Sequence, residues 1–85
     1  MIKIYISEVC DYCKELKDKL TESKIEFTTI DIDDEKNQET VSKIFDFVGE
    51  PLIPIIIHEN KILAPKRSFN TIEQAMVLIK SLIWL

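Results

Sequence analysis

The chain has 85 residues, of which 46% are hydrophobic and 31% charged, with one glycine and three prolines. This composition excludes a disordered or collagen-like chain, and the length predicts a single domain over residues 1–85. Eleven basic residues against 15 acidic ones give a net charge of −4. That charge argues against a nucleic-acid partner, because binding phosphates requires a basic surface.

No apolar run reaches about 20 residues, the length that spans a bilayer. The first residues, 1–5, are too short and too polar to act as a secretory signal. We therefore expect a cytoplasmic protein with no membrane partner.

The first part of the chain predicts a strand, a helix and a second strand. Alternating isoleucines predict the first strand over 2–7, and apolar spacing predicts a helix over about 11–23. The apolar stripe of this helix consists of Cys13, Leu16 and Leu20. The segment 25–32 predicts the second strand.

The middle of the chain predicts another helix and a hairpin. Asp33 or Asp34 is expected to cap this helix, and Gly49, the only glycine, is expected to end it in a left-handed conformation. The densest apolar run, 55–57, predicts a central strand. Residues 61–64 then return as its short antiparallel partner.

Asn70-Thr71-Ile72-Glu73 is typical of a capping box and predicts the start of a third helix. We expect its core stripe to end at Leu82. The resulting order β-α-β-α-β-β-α predicts an α/β fold with a four-stranded mixed sheet that carries helices on both faces.

Cys10 and Cys13 are the only cysteines, and two residues separate them. Cys10 is predicted near the N-cap of the first helix, where unpaired N–H groups and the helix dipole lower the pKa of a thiol. Cys13 follows one turn later and can attack a mixed disulfide formed at Cys10. This spacing, together with the βαβ start, predicts dithiol exchange by an exposed nucleophile and a buried resolving cysteine.

Metal binding is the alternative interpretation of the two cysteines. A closed zinc site needs four ligands, whereas His58 is the only histidine and is expected at the hairpin end, away from the cysteines. We therefore predict no metal site on one chain. A metal-handling module stays open, either as an iron–sulfur cluster bridged between two chains through Cys10 or as a thiolate metal carrier.

The sequence resembles the glutaredoxins of the thioredoxin-fold superfamily over essentially its whole length. The matching features are Cys10-Asp11-Tyr12-Cys13, Ile53-Pro54 before the third strand, and Gly49 five residues before that proline. The resemblance implies a thioredoxin-like fold with three helices around the sheet.

The resemblance also assigns roles to individual residues. It implies that Cys10 is the nucleophile and Cys13 the resolving cysteine. It further implies that Tyr12 shapes a glutathione groove, and that Ile53 and a cis Pro54 form the opposite wall of this groove.

Three departures from the family pattern concern the substrate. Asp11 stands where the family usually has proline, and Ser7 stands where a basic residue is frequent. Residues 64–68 replace a Gly-Gly-x-Asp segment that holds the γ-glutamyl end of glutathione. Here we expect Arg67, the only arginine, to bind a glutathione carboxylate, and Ser68 to offer its hydroxyl and N–H at a helix start.

These features predict a monomeric glutaredoxin-type thiol–disulfide oxidoreductase. It would reduce disulfide-containing proteins or glutathione mixed disulfides, with glutathione as reducing co-substrate and no tightly bound cofactor. The alternative is a thioredoxin-like electron donor, for instance to a ribonucleotide reductase, recharged by a flavoprotein reductase.

Overall fold

A computed structural model describes residues 2–84; Met1 and Leu85, the ends of the predicted domain, lie outside the described residues. The main elements follow the predicted order β-α-β-α-β-β-α. They are β1 (Ile2–Ile6), α1 (Asp11–Glu22), β2 (Phe27–Asp31), α2 (Gln38–Val48), β3 (Ile55–His58), β4 (Lys61–Leu63) and α3 (Ile72–Ile83).

The four strands form one mixed sheet in the order β2-β1-β3-β4. β1 runs parallel to β2 and antiparallel to β3, so that Ile4 pairs with Thr29 on one side and with Ile56 on the other. β4 pairs antiparallel with β3. The predicted mixed sheet with a central apolar strand is therefore confirmed.

Two hydrophobic clusters cover the two faces of the sheet. Because side chains alternate along a strand, Ile4 of β1 faces α1 and α3, whereas Tyr5 faces α2. The larger cluster joins β1, α1 and α3, and Ile4, Leu16 and Ile79 at its centre are fully buried. The helices thus lie on both faces, as predicted, and α1 is held firmly by its apolar side.

The second strand begins later than expected. The N–H of Ile25 donates to the carbonyl of Leu20 at 3.0 Å, and Lys24 has a positive φ of 58°. Residue 25 therefore belongs to the C-terminal turn of α1, and its apolar side chain is buried there instead of in a strand.

The second helix also begins later than expected. The carboxylate of Asp34 accepts a hydrogen bond from the N–H of Lys36, but this caps a short 3-10 turn over Glu35–Asn37. α2 then starts at Gln38. Gly49 ends it with a φ of 94° and donates its N–H to Phe45, as predicted.

The third helix starts one residue later than the predicted capping box. Thr71 is the N-cap, and its hydroxyl accepts a hydrogen bond from the N–H of Gln74. The side chain of Gln74 in turn accepts from the N–H of Asn70 at 2.7 Å. Thr71 and Gln74 therefore cap the helix, although the side chain of Gln74 accepts from Asn70 and not from the N-cap residue, as it would in a capping box. At the other end, Ile83 rather than Leu82 packs against the core cluster.

Candidate active site

The two cysteines lie where β1 passes into α1. Cys10 is the N-cap of α1 and has extended backbone angles, and its sulfur accepts a hydrogen bond from the N–H of Cys13 at 3.1 Å. The Cα atoms of the pair are 5.2 Å apart, and a disulfide bond joins the two sulfurs. The pair is therefore placed so that it can form an internal disulfide.

The two sulfur-bearing residues differ in accessibility. Cys13 is 1% exposed and belongs to the cluster between the sheet, α1 and α3, whereas Cys10 is only half-buried at the edge of that cluster. A partner molecule can therefore reach Cys10 from solvent but not Cys13. This asymmetry is the one that sequential dithiol exchange requires.

The start of α1 provides a favourable electrostatic environment for the sulfur of Cys10. The first N–H groups of a helix have no partner within the helix, and its N-terminal end carries a partial positive charge. Once the disulfide is reduced, the N–H of Cys13 and this charge both stabilise a thiolate at Cys10.

A groove of about 290 Å³ lies beside the redox motif. It is lined by Tyr12, Leu52, Ile53, Pro54, Pro65, Lys66, Phe69, Asn70, Thr71 and Ile72. Tyr12, between the two cysteines in sequence, is 63% exposed, and the Ile53–Pro54 peptide bond is cis. The structure therefore brings Tyr12, Ile53 and Pro54 together around one cavity.

Part of the groove lining is polar. It includes Lys66, whose side chain is exposed, together with Asn70 and the N-cap residue Thr71 of α3. The sequence analysis missed these three residues as site candidates. The capping segment was a usable signal for them, because a helix that starts at a groove presents its N-terminal N–H groups there.

Arg67 and Ser68 lie outside this groove. The guanidinium group of Arg67 donates to the carbonyls of Phe47 and Val48 at 3.2 and 3.0 Å, at the C-terminal end of α2. The hydroxyl of Ser68 accepts from the N–H of Ala64. Ser68 is not at a helix start, because α3 begins at Ile72. Both residues line a separate, smaller cavity.

His58 ends β3, opposite Lys61 of β4, and lines a different cavity with Ile83 and Trp84. It therefore lies away from the cysteines, as predicted. Within residues 2–84, no three His, Cys, Asp or Glu side chains are grouped so that they could hold a metal ion, and no helix is long and apolar enough to cross a membrane.

Several solved structures share this fold. A glutaredoxin from Archaeoglobus fulgidus is 22% identical, with a TM-score of 0.71 over 93% of this chain and 85% of that one. A wheat glutaredoxin is 18% identical, with a TM-score of 0.70 over 93% of this chain and 70% of the other. A buckwheat glutaredoxin–glutathione complex is 12% identical, with a TM-score of 0.70 over 94% and 68% of the two chains. These likenesses confirm the thioredoxin-like fold.

A comparison with curated proteins finds no match. By contrast, the profile of the glutaredoxin family matches residues 2–62. This segment contains both cysteines, Tyr12 and the cis Pro54. The match covers well over half of the chain and shows that it belongs to the glutaredoxin family of thiol–disulfide oxidoreductases.

Proposed function

We propose that this protein reduces glutathione mixed disulfides and protein disulfides, with Cys10 as nucleophile and glutathione as the reductant. The observation that carries the proposal is the groove, which is lined both by Tyr12 of the redox motif and by Lys66 and the start of α3. Its volume of about 290 Å³ is close to the lower end for small-molecule sites, about 300–1,000 Å³.

The charges along the groove suit glutathione. Glutathione is a tripeptide with two carboxylates, so a binding site needs positive groups away from the reacting sulfur. Lys66 supplies a cation, and the start of α3 at Thr71 supplies the positive end of a helix dipole. Ile53, Pro54 and Phe69 supply the apolar walls. The buckwheat glutaredoxin of the same fold is a glutathione complex, which supports the same ligand here.

The proposed reaction begins with attack of the Cys10 thiolate on a substrate mixed disulfide. A bond forms between Cys10 and the glutathione sulfur, and the protein thiol leaves as a thiolate that takes a proton from water. Cys13 then attacks the sulfur of Cys10 and expels glutathione, which leaves the Cys10–Cys13 disulfide. Two molecules of glutathione supply the two electrons that reduce this disulfide and leave as oxidised glutathione.

The burial of Cys13 suits its proposed role as resolving cysteine. With 1% exposure it cannot meet a bulky substrate, but it lies within one helical turn of the sulfur that it must attack. Both cysteines and the whole groove belong to one chain, so we propose that a monomer suffices. We also propose a cytoplasmic site of action, because recycling requires a reducing compartment.

The proposal is tested by following the recycling of the oxidised protein. One assay supplies glutathione, glutathione reductase and NADPH; the other supplies thioredoxin reductase and NADPH. We expect turnover in the first assay with a glutathionylated peptide, complete loss of activity in Cys10→Ser, and partial retention in Cys13→Ser. Cys13→Ser is the matched control, because it removes one sulfur but leaves the proposed nucleophile.

Three outcomes would contradict the proposal. Recycling by the thioredoxin reductase alone would favour the thioredoxin-like electron donor. Activity that survives Cys10→Ser but not Cys13→Ser would reverse the proposed roles of the two cysteines. Purified protein that contains iron and sulfide would favour the metal-handling alternative.

A further inference from the structure

Ser7 directly follows β1 and lies three residues before Cys10. It is 8% exposed and is the only buried residue among the serines, threonines, amides and charged residues of the described part of the chain. A buried hydroxyl needs hydrogen-bond partners, because burial without them costs free energy. The hydrogen-bond partners of Ser7 therefore indicate what its buried hydroxyl holds in place.

The hydroxyl of Ser7 connects two parts of the site. It donates to the Oδ2 of Asp33 at 3.0 Å and accepts a longer contact from the N–H of Val9 at 3.5 Å. The carbonyl of Ser7 also accepts from the N–H of Cys10 at 3.2 Å. Ser7 thus contacts both the turn that leads to Cys10 and the segment after β2.

The residue Asp33 is exposed, but backbone hydrogen bonds hold the segment on which it lies. Its own N–H donates to the Oδ1 of Asp31 at 2.8 Å, and the neighbouring Ile32 donates its N–H to Ile6 at 2.9 Å. Asp33 therefore follows directly on the pairing of β1 with β2. The bond between Ser7 and Asp33, hereafter the Ser7–Asp33 tie, crosses from one parallel strand end to the other.

We propose that the Ser7–Asp33 tie positions Cys10 for catalysis, with Ser7 and Asp33 as positioning residues that do not touch the substrate. The tie holds the turn from Ser7 to Cys10, and this turn sets the sulfur of Cys10 at 3.1 Å from the N–H of Cys13. The inference rests on the proposed role of Cys10 as nucleophile.

Asp33 has a second physical effect that must be separated from positioning. As an anion, Asp33 repels a nearby thiolate, so its removal lowers the pKa of the Cys10 thiol. A loosened turn has the opposite effect: the N–H of Cys13 then donates to the sulfur less often, and the pKa of the thiol rises. Other charged residues lie close to this turn in the sequence or line a cavity to which Ile6 of β1 and Asp31 of β2 contribute. They are Glu8, Asp11, Lys14, Lys17, Asp31, Asp34 and Lys36.

Substitutions of the two residues separate positioning from charge. Ser7→Ala and Asp33→Ala both break the tie, but only Asp33→Ala removes the charge. Asp33→Asn removes the charge and keeps an oxygen that accepts from Ser7. Asp46→Ala is the matched control, because Asp46 is an exposed acidic residue on α2 away from the tie.

The readout is the pH dependence of iodoacetamide alkylation of the reduced protein, with mass spectrometry to identify the modified cysteine. We expect Ser7→Ala to raise the pKa of the Cys10 thiol by about 0.5, which is about a threefold fall in the thiolate fraction below that pKa. Asp33→Ala should raise it by less, because loss of the negative charge partly offsets loss of the tie. The double variant should match Asp33→Ala, because both proteins lack the tie and the charge. Asp33→Asn and Asp46→Ala should leave the pKa within about 0.2 or lower it slightly.

Each other result overturns a stated part of the argument. An unchanged pKa in Ser7→Ala, with Cys10 still the alkylated residue, refutes the positioning role alone. Equal lowering in Asp33→Ala and Asp33→Asn shows that Asp33 acts through its charge and also refutes the tie. Preferential alkylation of Cys13 in the wild-type protein refutes the proposed nucleophile itself.

Discussion

Arg67 provides a sharp test of the difference between the sequence-based expectation and the structure. The sequence suggested that it binds a glutathione carboxylate, whereas its guanidinium group donates to the carbonyls of Phe47 and Val48. The last carbonyls of a helix have no partner within the helix and carry a partial negative charge. Arg67 therefore donates to two carbonyls that have no partner within α2. Its positive charge also lies at the negative end of the α2 dipole.

The expected loss on substitution follows from these contacts. A hydrogen bond contributes about 0.5–1.5 kcal/mol net, and a cation at a helix C-terminus contributes about 0.3–1 kcal/mol. Because Arg67 is exposed, we take the low end of each range. Arg67→Met keeps the length of the side chain and should lower the free energy of unfolding by about 1 kcal/mol. For a domain of this size that lowers Tm by about 4–8 °C.

The neighbouring Lys66 is the matched control, because it lines the groove. Thermal unfolding followed by circular dichroism should show a lower Tm for Arg67→Met and little change for Lys66→Met. Steady-state turnover should show the opposite pattern, with KM for glutathione raised several-fold in Lys66→Met and changed less than about twofold in Arg67→Met. A raised KM in Arg67→Met with an unchanged Tm would refute the structural role and restore the carboxylate contact.

Three further predictions concern the redox motif, a helix cap and a buried ring. Asp11→Pro should lower the pKa of the reduced Cys10 thiol, because it removes an adjacent anion and the extended backbone of Cys10 tolerates a following proline; an unchanged or higher pKa by alkylation would contradict this. Thr71→Ala should lower the free energy of unfolding by about 1 kcal/mol in urea titrations, and Thr71→Ser should restore it, since the hydroxyl caps α3. Burial raises the pKa of Tyr5 above its usual 10.0, so stability is present below pH 10 and is lost as the pH rises through the higher folded value. Tyr5→Phe should therefore make the urea midpoint less sensitive to pH above 10, and an equal slope in both proteins would contradict the assignment.

Local patterns predicted the element order well. The alternation of isoleucines in β1 and the stripe of Cys13, Leu16 and Leu20 in α1 each report burial on one face, and burial is what holds these elements in place. Gly49 marked the end of α2 correctly, because only glycine adopts a φ of 94° at little cost. The spacing of Cys10 and Cys13 at a strand-to-helix junction predicted the redox site, because that spacing and the helix start are both local in sequence.

Element boundaries were less predictable, because competing local signals needed tertiary contacts to decide between them. Ile25 is apolar and β-branched, which favours a strand, but its backbone closes the end of α1 and its side chain is buried there. Asp34 is a good capping residue, and it caps a 3-10 turn instead of α2. At the start of α3, either Glu73 or Gln74 could accept a hydrogen bond from the backbone that precedes the helix. In the structure the side chain of Gln74 does so.

The sequence by itself determined the chemistry of the site: two thiols one helical turn apart, with the first at the positive end of a helix. Only the tertiary structure decided which side chains surround them. Lys66 and Arg67 are adjacent cations, yet one lines the groove and the other binds the end of α2. Their separation depends on how the loop between β4 and α3 passes over elements that are distant in sequence. The partnership of Ser7 with Asp33, 26 residues apart, has the same origin, since the parallel pairing of β1 and β2 brings them together.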